Sequence, residues 1–229
     1  MALLRGEGLT KKYGAVTALS DVTVEIQQGD IVVVLGPSGS GKTTLLNLLA
    51  ILDRPSSGRV FLNGQEITHL PDPEAARLRN RNFGFVFQFF HLLPELTVRE
   101  NVFLPLWIKE RQASGLNGYR RQAEELLARF DLLGKKNAYP AQLSGGEMQR
   151  VAICRSLICQ PQVVFADEPT GSIDRQAAAS LLDLIGRLNQ QQTATFVIAT
   201  HNEIFLQIAT KVVYLKDGRI ERTEKTKIT

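Results

Sequence analysis

Cysteine is scarce in this 229-residue chain, which holds only Cys154 and Cys159. Both sit in the apolar stretch VAICRSLICQ with no further Cys or His beside them, so they complete no metal site and are expected to be buried, reduced thiols. Long hydrophobic runs are missing too. No stretch approaches the roughly 18 apolar residues that a spanning helix requires. The opening MALLRGEGLTKKYG lacks the hydrophobic segment of a signal peptide, so the chain is expected to stay in the cytosol. Internal repeats, low-complexity blocks and a sustained heptad pattern are also lacking, which excludes solenoids and long coiled coils. Charge of one sign does not dominate: a formal net charge of +4 and a pI near 9.2 permit a nucleic-acid or anionic-membrane partner without selecting one. What is present, 44% hydrophobic and 22% charged residues, is the composition of an ordinary globular protein of a length that suits one core with at most an appended lobe.

Apolar and polar residues alternate through Val22, Val24 and Ile26, turn at Gln28 and Gly29, and resume as IVVVL, which reads as a buried strand. That strand empties into GPSGSGKT and then into TTLLNLLAIL, whose continuous leucines suit a buried helix. RVFLNGQEI carries the Asn-Gly mark of a tight hairpin and predicts a small antiparallel sheet. From Gln88 to Pro161 the pattern becomes helical. Ala123, Leu126, Leu127, Phe130 and Leu133 share one face there, and Gly134 is placed to end that helix. After Pro161 the alternation of strand and helix returns as VVFAD, a helix carrying Leu181, Leu184, Ile185 and Leu188, and TFVIATH. The polar tail beyond Glu221 is expected to be poorly ordered.

Gly36, Pro37, Ser38, Gly39, Ser40, Gly41, Lys42 and Thr43, followed by Thr44, fit the G-x-x-x-x-G-K-[ST] phosphate-loop pattern between the expected strand and helix. The glycines let the backbone wrap a triphosphate so that amide N–H groups and a helix N-terminus face its oxygens. Lys42 can then reach the β and γ phosphates, and the Thr43 hydroxyl can ligate the Mg²⁺ that bridges them. Asp167, closing VVFAD, is the acidic partner expected for that metal, directly or through water. A glycine-rich turn with a surface lysine is the bland alternative, and the flanking strand and helix disfavour it. Kinases, GTPases, helicases and transporters all share this cradle, so it does not by itself choose among them.

The choice comes from LSGGEMQRVAICRS, Leu143 to Ser156, which closely resembles the signature of the ATP-binding-cassette (ABC) ATPase family. Tyr13, GPSGSGKT, Gln88, LSGGEMQR, VVFADEP, GSID and His201 follow in family order along nearly the whole chain. The resemblance implies an α/β cassette of the phosphate-loop NTPase type: a RecA-like parallel-sheet core with a small antiparallel β subdomain over residues 1–87 and 161–229, and a helical subdomain over 88–160. It implies two cassettes dimerised head to tail, each ATP clamped between one phosphate loop and the partner's Ser144, Gly145 and Gly146. Such a Ser-Gly-Gly turn before a helix expected to start near Glu147 offers backbone donors to a γ phosphate, although taken alone it is an ordinary helix cap. By the same resemblance Glu168 polarises the attacking water, His201 contacts the γ phosphate, and Gln88 ligates Mg²⁺ or that water. Tyr13 stacks on adenine, worth about 1 to 3 kcal/mol, and Asp174 crosses the dimer. Singly, Glu168 could be a solvated strand-end acid, His201 a structural histidine and Tyr13 a core residue; their order along the chain favours the functional roles. The chain departs from the family at Ser172 and Ile173, where Asn-Leu is commoner, at Asn202, where Asp is usual, and at Cys154 and Cys159.

GFVFQFFHLLPELTVRENVFLPL and ILDRPSSGRVFLNG resemble the branch whose cassettes serve lipoprotein release, macrolide export and cell division. That implies separate integral-membrane permease subunits and a peripheral place on the cytoplasmic face of the inner (plasma) membrane. Phe89, Phe90, Leu92 and Leu93 read equally as a groove for a partner's helix or as core. Two other readings are an ABC ATPase acting on nucleic acid or ribosomes and a scaffold that binds ATP without hydrolysing it. A single phosphate loop with no heptads argues against the first, so no nucleic-acid partner is expected; Glu168 and His201 argue against the second.

Overall fold

The computed structural model describes residues 2–110, 116–192 and 194–226. The continuous apolar run IVVVL becomes β3 (Ile31–Leu35), buried at every position because both faces of its sheet are covered. Ile31, Val33 and Leu35 point into one hydrophobic cluster, while Val32 and Val34 point into the other. β7 (Val163–Asp167) and β8 (Thr195–Thr200) repeat this division, with Val164 and Ile198 on the first side and Val163 and Val197 on the second. The period of two in the pleat is thus what builds two cores from three unbroken apolar segments.

With β6 (Phe83–Val86), β9 (Lys211–Lys216) and β10 (Arg219–Lys225) these strands form a six-stranded sheet of order β10-β9-β3-β8-β7-β6. Every pairing in it is parallel except β9 with β10. The second sheet, order β2-β1-β4-β5, is antiparallel and consists of β1 (Leu4–Tyr13), β2 (Val16–Ile26), β4 (Ser57–Leu62) and β5 (Gln65–Glu66). Asn63 and Gly64 close its predicted hairpin with φ of 52° and 81°, which the turn requires.

The helix after β3 is α1 (Lys42–Leu49), with Leu45, Leu46, Leu48 and Leu49 buried between the two sheets. α2 (Asp72–Asn82) precedes β6. α3 (Val98–Glu110), α4 (Leu116–Arg129), α5 (Gly145–Leu157) and α6 (Arg175–Gln192) contribute to the opposite core, where Leu127, Val151 and Ile185 lie buried together. Among the described residues no helix is long and apolar enough to cross a membrane.

Three local expectations are corrected. The helix carrying Ala123 and Leu127 ends at Arg129, with Asp131 taking the left-handed conformation (φ 57°), so Gly134 does not terminate it. Leu132 fills the core in its place, and Leu133 turns outward at 42% exposure. The signature helix starts at Gly145, ahead of the expected Glu147. The polar tail is ordered through Lys225 as β10, because Asp217 and Gly218, with φ of 48° and 73°, fold it back onto β9 as far as the Lys211–Lys225 pairing. Residues 227–229 of that tail lie outside the described residues.

Cys154 and Cys159 are buried as expected, and burial pushes the Cys154 thiol far above its ordinary value. A thiol reagent such as Ellman's is therefore expected to react with neither cysteine in the native protein at pH 8, and with both once denaturant unfolds it. Rapid labelling of either thiol without denaturant would contradict the packing described.

Candidate active site

Parallel pairing aligns Leu35 with Thr200 and Asp167 with Ala199, so the carboxyl ends of β3, β8 and β7 reach one edge together. In open α/β sheets that edge is where ligands bind. The phosphate loop leaves β3 there. At Gly36 an added Cβ would sit 2.1 Å from the Leu215 carbonyl oxygen, and at Gly41 it would sit 2.6 Å from that of Ala18. Gly41 also holds φ at 100° and caps α1 with no side-chain acceptor. No acidic residue occupies the first turn, so the helix presents its amide donors and positive dipole end to the loop.

Lys42, 7% exposed, folds over the loop and donates to the carbonyls of Gly36 and Pro37 at 3.0 Å each, with its Nζ 3.7 Å from Glu168 Oε1. The Thr43 hydroxyl donates to the Asp167 carboxylate at 2.9 and 3.1 Å. Burial pushes the Asp167 carboxyl above its ordinary value, and Glu168 adds to this, against the hydrogen bond from Thr43 and the charge of Lys42.

Glu168 has a left-handed backbone (φ 45°), and its amide donates to Ala199 O at 2.8 Å, tying the turn after β7 to β8. Its Oε2 accepts from the buried Thr200 hydroxyl at 2.9 Å, and its Oε1 lies 3.0 Å from His201 Nδ1. Thr200 Oγ1 in turn accepts from the Asn202 amide at 3.0 Å. Ser38, Gly39, Gly41, Lys42, Thr43 and Thr44 line one side of a cavity of about 450 Å³, and Gln88, Glu168 and His201 line it as well.

Tyr13 does not line that cavity but stands at the end of β1. Its hydroxyl donates to Asp53 Oδ2 at 2.8 Å, the main reason its pKa is raised, followed by burial.

Ser144, Gly145, Gly146 and Asp174 line a different cavity of about 360 Å³, which shares no residue with the first. Ser144 caps α5 in a reciprocal box: its Oγ accepts from the Glu147 amide at 3.3 Å, while its own amide donates to Glu147 Oε2 at 2.8 Å. Asp174 caps α6, its Oδ1 accepting from the Ala177 amide at 2.9 Å. Between the two cavities runs GSID. A Cβ on Gly171 would meet Gln88 Nε2 at 2.8 Å, and one on Gly145 would meet Ser172 O at 3.2 Å, so the segment touches both.

The apolar segment after Gln88 divides. Phe89 is 70% exposed and Leu93 also faces solvent, whereas Leu92 packs against the core. Phe90 and His91 both have left-handed backbones, and the mostly buried Arg155 guanidinium of α5 donates to both of their carbonyls. No sequence motif singles out Asp53, Thr200 or Arg155 for these contacts: each meets its partner across 32 to 65 positions of the chain.

A phosphate cradle at the carboxyl edge of a parallel sheet, with two carboxylates and a histidine facing it, defines a phosphate-loop nucleoside triphosphatase. Residues 19–171 match the family model described as "ABC transporter". The chain is 44% identical to the lipoprotein-releasing system ATP-binding protein LolD of Idiomarina loihiensis over 97% of its own length and 98% of that protein's. It is also 44% identical to the macrolide export ATP-binding/permease protein MacB of Syntrophobacter fumaroxidans, over 96% of this chain and 31% of the longer relative. Its backbone superposes with a TM-score of 0.89 on the cassette MJ0796 of Methanocaldococcus jannaschii, solved as a dimer in a post-hydrolysis state bound to ADP and Pi, at 39% identity over 97% of this chain and 98% of that one. The chain therefore belongs to the ABC transporter family, as an ATP-binding and ATP-hydrolysing subunit.

Gly41→Ala is expected to destabilise the protein by about 1–3 kcal/mol, through the left-handed backbone and the Ala18 carbonyl. It should weaken ATP binding by more than about tenfold, because the loop's amide donors shift with it. Denaturant titration and calorimetry read the two effects separately, and unchanged ATP affinity would contradict the role of this backbone.

Proposed function

We propose that this chain hydrolyses ATP as a head-to-tail homodimer and so drives separate integral-membrane permease subunits that release lipoproteins from the membrane. The observation that carries the dimer reading is the division of the site: the phosphate-loop cavity and the Ser-Gly-Gly cavity lie apart in one subunit and share no residue. A triphosphate seated on the first has its γ phosphate facing outward, and a second copy supplies Ser144, Gly145 and Gly146 over it. Asp174 lies beside that turn and would face the partner's site across the interface. The lipoprotein reading rests on the LolD relative's near-complete coverage; under it the chain would sit on the cytoplasmic face of the inner membrane. Phe89 and Leu93 are the apolar side chains offered to the permease.

The residues fit Mg²⁺: the Thr43 hydroxyl and the Asp167 carboxylate are hard oxygen donors side by side, and burial raises that carboxyl's pKa, a cost that a bound cation offsets. Gln88 offers a neutral amide oxygen to the same space. Bound there, the ion would neutralise charge on the phosphate oxygens. Lys42 exchanges its two carbonyl acceptors for phosphate oxygens, a stronger charge-assisted bond. Glu168 orients a water in line with the γ phosphorus and takes up its proton as the oxygen attacks; the bond from that phosphorus to the β–γ bridging oxygen breaks, ADP leaves with the bridging oxygen, and His201 donates to the departing γ phosphate. Thr200 holds Oε2 of Glu168, and Oε1 meets the water once His201 turns from it to the γ phosphate.

Glu168→Gln is expected to lower steady-state phosphate release at least about a hundredfold, while ATP still drives dimerisation on size exclusion. A monomer under those conditions would sink the sandwich. Thr200→Val is expected to lower kcat about tenfold with the KM for ATP unchanged, and Thr200→Ser to restore it; a shift in KM alone would mean that Thr200 does not act on Glu168. Tagged protein drawn from its native membrane should carry integral-membrane subunits and lipoprotein. An efflux or division complex in their place would replace the cargo reading, and purely soluble companions would count against transport.

A further inference from the structure

Tyr13 is 49% exposed at a hairpin tip, where an aromatic side chain is ordinarily free to turn. Here it is not. Its hydroxyl donates to Asp53 Oδ2 at 2.8 Å, and Asp53 lies just beyond the end of α1, the helix that issues from the phosphate loop. The other carboxylate oxygen accepts from Lys11 Nζ at 2.6 Å and from the Arg54 amide at 2.7 Å. Lys11, its side chain only 13% exposed, also donates to Arg54 O at 2.6 Å. Its ammonium lies 5.0 Å from the centre of the tyrosine ring, so a cation is held against the ring. Burial pushes the Asp53 carboxyl up, but the hydrogen bonds from Lys11, Tyr13 and Arg54 together hold it below its ordinary value, so it stays ionised at neutral pH.

We propose that Asp53 is a positioning residue for nucleobase recognition: with Lys11 it locks Tyr13 in one orientation relative to the phosphate loop, so that adenine meets a ring face already in place. This rests on the reading of Tyr13 as the adenine-stacking residue. The tie spans 40 positions in sequence and joins the strand that carries the ring to the turn that follows α1, the helix that issues from the phosphate loop. The distance between base and phosphates is thereby fixed before the nucleotide arrives, and the ring loses no rotamer freedom on binding. Asp53 and Lys11 need touch no part of the ligand.

Binding of ATP and of inorganic tripolyphosphate, each with Mg²⁺, to the full chain separates base from phosphate recognition. Tyr13→Ala should raise the Kd for ATP by about fivefold to a hundredfold, as loss of a stacking platform does. Tyr13→Phe and Asp53→Ala should each raise it by about twofold to tenfold, the scale of one net hydrogen bond. The double variant Tyr13→Phe/Asp53→Ala should be no weaker than the weaker single one, because both remove the same tie. Tripolyphosphate affinity should stay unchanged throughout. Tyr13→Phe leaves Asp53 and Lys11 intact, so it carries the test if Asp53→Ala fails to fold. If Tyr13→Ala weakens ATP binding while Tyr13→Phe does not, the positioning role is wrong and the stacking role stands; if tripolyphosphate binding falls in parallel with ATP, the effect lies on the phosphate site and both roles are wrong. If Tyr13→Ala leaves ATP affinity unaltered, the stacking role goes, and the proposal with it.

Discussion

Three parallel strands, β7, β8 and β3, end in register, and that register makes the site. It brings Lys42, Asp167, Glu168 and Thr200 from positions up to 158 residues apart to one edge of the sheet. One almost buried ammonium then stands near two carboxylates, a cluster that low dielectric would penalise if any member lacked a counter-charge or hydrogen bond. Each is in fact partnered: Lys42 by loop carbonyls, Asp167 by Thr43, and Glu168 by Thr200 and His201. These partners lie on the phosphate loop, the first turn of α1 and the end of β8 with the residue after it. The charged groups are pre-arranged around the place where phosphate charge would develop, which is the arrangement that electrostatic catalysis demands.

α5 begins with the Ser-Gly-Gly turn, which lines a cavity separate from that of the phosphate loop, and in the proposed dimer each subunit would supply one of the two. GSID bridges them within the chain, with Gly171 against Gln88 and Ser172 against Gly145. A side chain at either glycine would push the neighbouring group away, so the absence of a Cβ is what allows the bridge. Arg155 adds a second link, from α5 to the left-handed backbone at Phe90 and His91. In the proposed transporter a displacement of Phe89 by the membrane partner would be felt at Gln88 and at the signature helix through these contacts, each of which joins residues distant in sequence.

Segments whose pattern is dictated by a single periodicity were legible in the chain. IVVVL, VVFAD and TFVIATH announce doubly covered strands, Asn63-Gly64 announces its hairpin, and GPSGSGKT announces its loop between strand and helix. Where two signals competed, the reading failed. Gly134 looked like a helix end, yet Asp131 took the left-handed turn because Leu132 had a core position to fill. The charged tail looked unsupported, yet backbone pairing with β9 ordered it to Lys225, for which Asp217-Gly218 was the overlooked turn signal.

The sequence by itself determined the class of chemistry, because a phosphate cradle needs glycines, a lysine and a hydroxyl at fixed short spacing, and short spacing is visible in a string of residues. It also determined which strands are buried, since hydrophobic period follows from local backbone geometry. Only the tertiary structure decided which side chains hold the functional ones in place: Asp53 on Tyr13, Thr200 on Glu168, and Arg155 on the segment after Gln88. Those hydrogen bonds reach across 32 to 65 positions. Hydrogen-bonding groups of that kind are common all along the chain, and nothing short of the folded packing selects which of them meet.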